Sequence, residues 1–545
     1  MISVVKKPNI VNIFLFIIIL LALFLRSYKL GEIPNGLSWD EAAQGYNAFT
    51  LSETGKDEFG KTWPVSFFES FGDFKPVLYT YSAIIPIKIW GLNEFSTRFP
   101  SAFFGTITVL ITFFLVLEIF HKSEKKKIIA LLSTFFLAIS PWHIQMSRAA
   151  FEANLGLFWI VLGIYLLLKG INGKTIYVPI SAVPFAATFY TFNSTRVFTP
   201  IILLIIAVIN IKEWKKYWKS AILFFIFFVI LLIPILPHLL SPQAKLRFNE
   251  VNIFSDLKPI EQSNVRMEVD NNTWWSRILH NRRWMFSMEY LRHYLDNLNL
   301  RFLFLVGDGN PKFSIQDVGQ MYLVNLPFFL FGLLFLIRKY KNERLLILLW
   351  LLGGIIPAGT ARETPHALRI LQTLPCWQII ISIGWLESYL IIKNKKLGHL
   401  LYSILIFLLL FNAIWYLHNY YYHYPKEYAG EWQYGYKDAI EYINTNYNKY
   451  DHVVFTENMG RPYIFFLFFN KYNNNDFLKT ADIKRDAFGF VNVRGFNKYL
   501  FGSEDKLLPG KTLYSVSPQN LPKGKKPIKI IYLPNGNPVL MMYEN

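Results

Sequence analysis

Charge is scarce in this sequence. Asp, Glu, Lys and Arg make up 17% of its 545 residues, well under the roughly 25% of an average soluble domain, so the apolar surplus has to face lipid. Cysteine is nearly absent. The single Cys376, inside an apolar segment, excludes a disulfide framework and a Cys-based metal site. No glycine-rich phosphate loop occurs, which removes the nucleotide-binding classes that need one. There is also no internal repeat, no low-complexity linker, and no small-x-small cleavage site after the first apolar run. What is abundant is aromatic and aliphatic side chain, with 53% hydrophobic residues, 50 Phe and 31 Tyr. The net charge of +19 does not indicate a nucleic-acid partner, because the basic residues fall between apolar runs instead of gathering on one face.

The composition predicts a polytopic α-helical membrane protein of about eleven spans. The apolar stretches are Ile10–Leu25, Ala102–Phe120, Ile128–Ile139, Leu155–Leu168, Ile176–Phe192, Thr199–Ile211, Ala221–Leu240, Met321–Ile337, Leu345–Ala358, Leu368–Ile392 and Leu397–Leu417. Several fall short of the roughly 20 residues that cross a bilayer core, so flanking Trp, Tyr and Lys must complete them. Lys6 and Lys7 before the first stretch read as an uncleaved signal-anchor with the amino terminus in the cytoplasm. Every second loop is then cytoplasmic: His121–Lys127, Lys169–Lys174, Lys212–Lys219, Arg338–Arg344 and Lys393–Lys396. With the first nine residues these loops hold 19 Lys or Arg against Glu124, Glu213 and Glu343, as the positive-inside rule requires. The opposite face receives the first loop (27–98), the loop Ser241–Gln320 and the tail. Residues 1–417 read as the membrane domain and 418–545 as a small extracytoplasmic α/β domain, with a helix near Tyr436–Tyr447 and strands near His452–Thr456 and Ile528–Leu533.

The first loop carries the most information. It reads Gly36-Leu-Ser38-Trp-Asp40-Glu41 and then Gly72-Asp-Phe-Lys75-Pro76-Val77-Leu-Tyr79. Ser38 followed by Glu41 is a capping box, in which both acids serve the helix dipole. Adjacent helical residues point about 100° apart, so Glu41 can cap while Asp40 projects into a cavity as a general base. Lys75 is either a snorkelling lysine at the entry to the interfacial stretch Val77–Trp90 or a cationic ligand for a phosphate at the membrane surface.

Asp40-Glu41, Lys75-Pro76 with Tyr79, and Gly91-Leu-Asn-Glu-Phe-Ser-Thr-Arg98-Phe-Pro100 together resemble the polyprenyl-phosphate-dependent glycosyltransferases of the GT-C fold, near the aminoarabinose transferases and protein O-mannosyltransferases. The family's usual Lys-Pro-Pro is Lys75-Pro76-Val77 here. The resemblance continues through Ser140–Glu152, Tyr190–Arg196 and His366–Arg369. It implies that Asp40, of the catalytic pair Asp40 and Glu41, is the base and that Lys75 binds the donor phosphate. Arg369 and Arg148 are the further phosphate candidates. Tyr79, Arg98, Glu152, Arg196 and His366 are candidates for substrate contact.

Such a reaction needs a base on the acceptor and cations on the leaving phosphate. Arg148, Arg196, Arg362, His366 and Arg369 fall at outer span ends, where charge is costly unless it lines a polar cavity. Snorkelling to head groups would explain many of them, Arg148 could pair with Glu152 at i,i+4, and His366 suits an interfacial role better than a metal site. One base and a phosphate leaving group fit inversion, since adjacent Asp40 and Glu41 cannot flank a bond as a retaining pair does. The aromatic, basic stretch Trp274–Phe286 suits a helix in the interface. The implied partners are the cell-membrane bilayer, a lipid-linked sugar donor, and a glycolipid, polymer or protein acceptor, with no nucleic acid; a divalent metal is left open. The competing readings are a transporter or flippase of lipid-linked saccharides, which would favour mid-membrane charges and repeat halves, and an oligosaccharide ligase or polymerase.

Overall fold

A computed structural model describes residues 10–241, 252–485, 491–506 and 508–545. Lys6 and Lys7, and the start of the Ser241–Gln320 loop, lie outside the described residues. The chain packs as two compact units. One comprises residues 1–26, 104–146 and 153–416; the other comprises residues 27–103, 147–152 and 417–545.

The first unit is helical. Each of the eleven apolar stretches contains helix. Among the described residues, six helices are long and apolar enough to cross a membrane alone: Ile10–Ser27, Glu94–Ile119, Glu152–Ile171, Lys216–Leu239, Leu371–Ile392 and Lys396–Glu427. Lys126–Ala138 and Pro141–Ser147 make a seventh if their 58° bend is counted within one span. Tyr177–Phe189, Asn193–Ile209 and Arg344–Gly359 are shorter apolar helices. Large apolar side chains stay exposed along these helices, Phe225 at 65% and Phe407 at 66% among them, which only a lipid environment makes favourable. Leu326–Lys339 packs closely on Cys376–Ile392. A Cβ on Gly332 would lie 1.9 Å from the Ile380 carbonyl oxygen, and one on Gly384 1.8 Å from that of Phe328, the small-residue contact that draws membrane helices together.

The basic loops meet at one end of this unit. Glu387, near the end of its helix, accepts hydrogen bonds from Lys125 Nζ (2.8 Å), Lys339 Nζ (2.7 Å) and Tyr340 Oη (2.6 Å). Asn172 donates to Glu118 (2.9 Å), and Tyr217 donates to the Ile171 carbonyl. The loops His121–Lys127, Lys169–Lys174, Lys212–Lys219 and Arg338–Arg344 are thereby linked to one another and to the helix end before Lys393–Lys396. Positive charge alone would disperse them, and one buried carboxylate holds three of the donors.

The second unit contains a seven-stranded sheet. Its strands are β3 (His452–Phe455), β4 (Asp482–Arg485), β5 (Val491–Phe496), β6 (Tyr499–Phe501), β7 (Thr512–Val516), β8 (Lys529–Tyr532) and β9 (Pro538–Glu544), in the order β4-β5-β6-β3-β7-β9-β8. β1 (Phe68–Ser70) and β2 (Asp73–Lys75) form a separate hairpin. β3 runs parallel to β6 and β7, and the other pairs are antiparallel. β7 is buried at every position, as a central strand covered on both faces should be. The helix and strands read from the tail sequence are present as Tyr436–Thr445, β3 and β8. The first loop, read from the sequence with the membrane domain, shares its core with the tail. Helix Trp39–Thr54 buries Ala42, Ala43, Tyr46 and Ala48, too many faces for a lone surface helix. It packs on Pro462–Phe469 and on Leu78–Trp90. The last of these helices still exposes Ile85 and Ile89, which suits an interfacial position. The Trp274–Phe286 stretch forms two helices, Trp274–Leu279 and Arg282–Asp296.

Candidate functional site

The capping box at the start of helix Trp39–Thr54 fixes the two neighbouring acids in different surroundings. Ser38 Oγ accepts the Glu41 N–H, and the Ser38 N–H donates to Glu41 Oε2 at 3.0 Å. Arg98 Nε donates to Glu41 Oε1 at 2.8 Å and Nη2 to Oε2 at 3.2 Å; the Ala150 N–H adds a fourth bond at 3.0 Å. The Glu41 side chain is 1% exposed. The remaining donors of Arg98 go to the carbonyls of Leu30, Pro34 and Gly36. All five guanidinium N–H groups are engaged, so neither Arg98 nor Glu41 has capacity left for a ligand. Together they clamp the loop Leu30–Ser38 onto the helix start.

Asp40 points elsewhere. Its side chain is 55% exposed, and its carboxylate pairs with the Lys75 ammonium, which is 9% exposed. Lys75 reaches it because the hairpin β1–β2 turns on Phe71 and Gly72, both at positive φ (59° and 80°), the two-residue geometry that favours tight hairpins. Burial by itself would lower the Lys75 pKa, but the carboxylates of Asp40, Glu152 and Asp73 outweigh it and raise it above the ordinary value. Lys75 is therefore a permanent cation facing three acids. Tyr79, fully buried, donates to the Thr97 carbonyl at 3.0 Å, and burial with the Glu41 and Glu152 charges pushes its hydroxyl well up.

Arg148 is buried in the same unit. Its Nε donates to Tyr420 Oη at 3.0 Å and its Nη2 to the carbonyls of Tyr28 (2.7 Å) and Ile33 (3.2 Å), with the rings of Tyr420 and Tyr421 about its guanidinium. It braces the chain after the first helix. Asp40, Glu41, Lys75, Tyr79, Arg98, Arg148 and Glu152 are thus gathered in one compact unit.

Arg196, His366 and Arg369 belong to the first unit. Arg196 donates to the Phe189 carbonyl at 2.7 Å. The His366–Arg369 segment is held by two residues that the sequence reading missed. Asn297 Oδ1 accepts the His366 N–H at 2.9 Å, and Asp308 Oδ2 accepts the Ala367 N–H at 2.6 Å. Burial raises the Asp308 carboxyl to about 6 despite its two backbone donors, and burial with Arg369 beside it lowers His366 to about 3. The ring is neutral, with Nδ1 lacking a hydrogen-bond partner among the described residues. A second buried acid was also missed. Glu58 accepts from Ser70 (2.7 Å), Asn47 (3.1 Å) and Tyr463 (3.2 Å), and burial pushes it up to about 7. Its neighbour Asp57 was the only local signal. Among the described residues no three His, Cys, Asp or Glu side chains group as a metal site.

Residues 16–249 match the family described as dolichyl-phosphate-mannose-protein mannosyltransferase. No curated protein matches the sequence. Among solved structures the chain is similar to ArnT from Cupriavidus metallidurans in the apo state, at 9% identity and TM-score 0.54, covering 98% of both chains. The same protein bound to undecaprenyl phosphate aligns at 10% identity and TM-score 0.53, covering 97% of both. The Archaeoglobus fulgidus oligosaccharyltransferase in the apo form aligns at 14% identity and TM-score 0.50 over 86% of this chain; the chain spans 64% of that protein's length. At these identities the likeness is one of fold, and the fold is the GT-C architecture that the first-loop motifs resemble.

Proposed function

We propose that this chain is a membrane glycosyltransferase that moves a sugar from a polyprenyl-phosphate donor to an acceptor hydroxyl, with inversion, on the extracytoplasmic face. The observation that carries the proposal is the division of the acid pair. Glu41 is buried and saturated by four donors, whereas its neighbour Asp40 is half exposed beside a buried, permanently charged Lys75. A site that needs one mobile proton acceptor and one fixed cation would be built this way.

In the proposed step Asp40 takes the proton from the acceptor hydroxyl as its oxygen attacks the anomeric carbon. The bond from that carbon to the phosphate oxygen breaks, and the polyprenyl phosphate leaves with the electron pair. Lys75 stabilises the charge that develops on the phosphate. Glu41, Arg98 and Arg148 are positioning residues for the loop that carries Asp40. Arg369 is the sequence pattern's candidate for a further donor contact. The wider reading supported by the loop charges is eleven spans, a cytoplasmic amino terminus, and a first loop and tail outside the cell membrane.

Asp40→Asn should abolish transfer from a radiolabelled polyprenyl-phosphate sugar in membranes while leaving expression unchanged. Lys75→Gln should raise the donor KM by about tenfold or more, the worth of a charge-assisted contact, and Lys75→Arg should recover part of it. Near-normal turnover of D40N would remove Asp40 as base; a flippase would retain donor translocation in D40N.

A further inference from the structure

The tail places a polar cavity beside the loop of Asp40 and Lys75. About 180 Å³ in volume, it is lined by Glu457, Gly460, Arg461, Pro462, Tyr463 and the first residues of β5, Asn492 among them. Three observations tie it to the proposed site. Lys75 Nζ and the Arg461 guanidinium share one aromatic ring, at 5.1 and 5.5 Å from the centroid of Phe71, within the range of cation–π attraction. Gly460 is at φ +81° and packs so tightly on Trp39 that an added Cβ would stand 2.6 Å from the indole; only glycine meets both conditions. Arg461 is itself held at φ +39°, an uncommon conformation for a long side chain and one that clusters at ligand sites.

The charges in and beside the cavity balance. Partial burial and, next, the Glu504 charge raise the Glu457 carboxyl and together outweigh Arg461 and Arg494, which lower it. Two cations and two anions give no net attraction for phosphate. A carboxylate that accepts, a guanidinium that donates and an amide that does both match the paired hydroxyls of a neutral sugar. No hydrogen bond within the described residues engages the side chains of Glu457, Arg461 or Asn492, so their polar capacity is open to a ligand.

We propose that this cavity is a subsite for a neutral sugar unit of the acceptor, so that the acceptor is a glycan. The inference rests on the sugar-transfer reading and adds the acceptor class to it. Arg461 and Glu457 hold the sugar next to the one whose hydroxyl meets Asp40, and Trp39 transmits the fit to the helix start.

The test uses the full-length protein in lipid nanodiscs and saturation-transfer NMR. The probes are neutral methyl hexosides (mannoside, glucoside, galactoside and N-acetylglucosaminide) with inorganic phosphate as competitor. At least one hexoside should bind, R461Q and E457Q should each weaken it by about tenfold, the worth of one charged hydrogen bond, and N492A should weaken it less. The exposed Glu457 and Asn492 side chains can be replaced without disturbing the core, which guards against a folding artefact. D40N should keep hexoside binding while losing transfer. Absence of hexoside binding, binding unchanged in R461Q and E457Q, or displacement by phosphate alone would each overturn the subsite. If instead D40N still transfers sugar, it is the transfer reading that fails, whatever the hexosides do.

Discussion

Neutralising either member of the acid pair should produce opposite phenotypes. In Glu41→Gln the carboxylate that answers a fully buried Arg98 becomes an amide. The four donors now aimed at Glu41 are two from Arg98 and the N–H groups of Ser38 and Ala150. An amide offers one acceptor oxygen, and its NH2 would face donors. Leaving a buried charge without its partner costs about 3–5 kcal/mol, a large part of the stability of a typical domain. In Asp40→Asn the lost pair is half exposed on the Asp40 side and Lys75 keeps the charges of Glu152 and Asp73 beside it, so the stability change should stay within about 1 kcal/mol. The lost base should still cost about 10²–10⁴ in rate. The assay is thermal unfolding of both purified variants in detergent, paired with sugar transfer per folded molecule. E41Q should unfold several degrees lower and, when folded, still transfer; D40N should unfold as wild type does and not transfer. An E41Q protein of wild-type stability that is inactive would refute the division of roles.

Three further outcomes follow from the same geometry. Glu58 has a folded pKa of about 7 against an ordinary 4.5, so the folded state holds its proton more tightly than the unfolded one. Stability is then lost as pH rises from the unfolded value through about 7, by at most about 3 kcal/mol; E58Q should unfold at a higher temperature than wild type at pH 8 and lose that advantage at pH 4.5. Removing the carboxylate that joins the basic loops, in E387A, should leave Tyr340 without its acceptor and cost about 1–3 kcal/mol, read as a lower unfolding temperature with transfer per folded molecule retained. In a Cys376→Ala background, K122C and K395C should react with a membrane-impermeant maleimide only after the cells are opened, and K479C without opening; labelling of K122C and K395C from outside, with K479C protected until the cells are opened, would reverse the proposed orientation.

Features that depend on near neighbours along the chain are legible in the amino-acid order alone. Apolar runs became helices because a lipid-buried backbone must satisfy its own hydrogen bonds. Of the loops in the charge pattern, His121–Lys127 and Arg338–Arg344 meet at Glu387. The Ser38–Glu41 capping box was legible because its partners are three residues apart and helix geometry brings them together. The tail's helix and strands were legible from their periodicity. By contrast, nothing local separates Arg98 and Arg148 from substrate-binding cations, since a span-end arginine looks alike whether it meets a ligand or a carbonyl.

Packing between distant segments separates those two fates. The partners of Arg98 lie near Leu30, Gly36 and Glu41, and those of Arg148 at Tyr28, Ile33 and Tyr420. No local pattern encodes such separations. The same holds for Asn297 and Asp308 under His366, for Glu58 beneath Tyr463, and for Arg461 sharing Phe71 with Lys75. Which of two adjacent acids is buried was likewise set by what packed over them. Helix periodicity points Asp40 and Glu41 in different directions, but the arrival of Arg98 and Ala150 from distant segments is what seals one and leaves the other open.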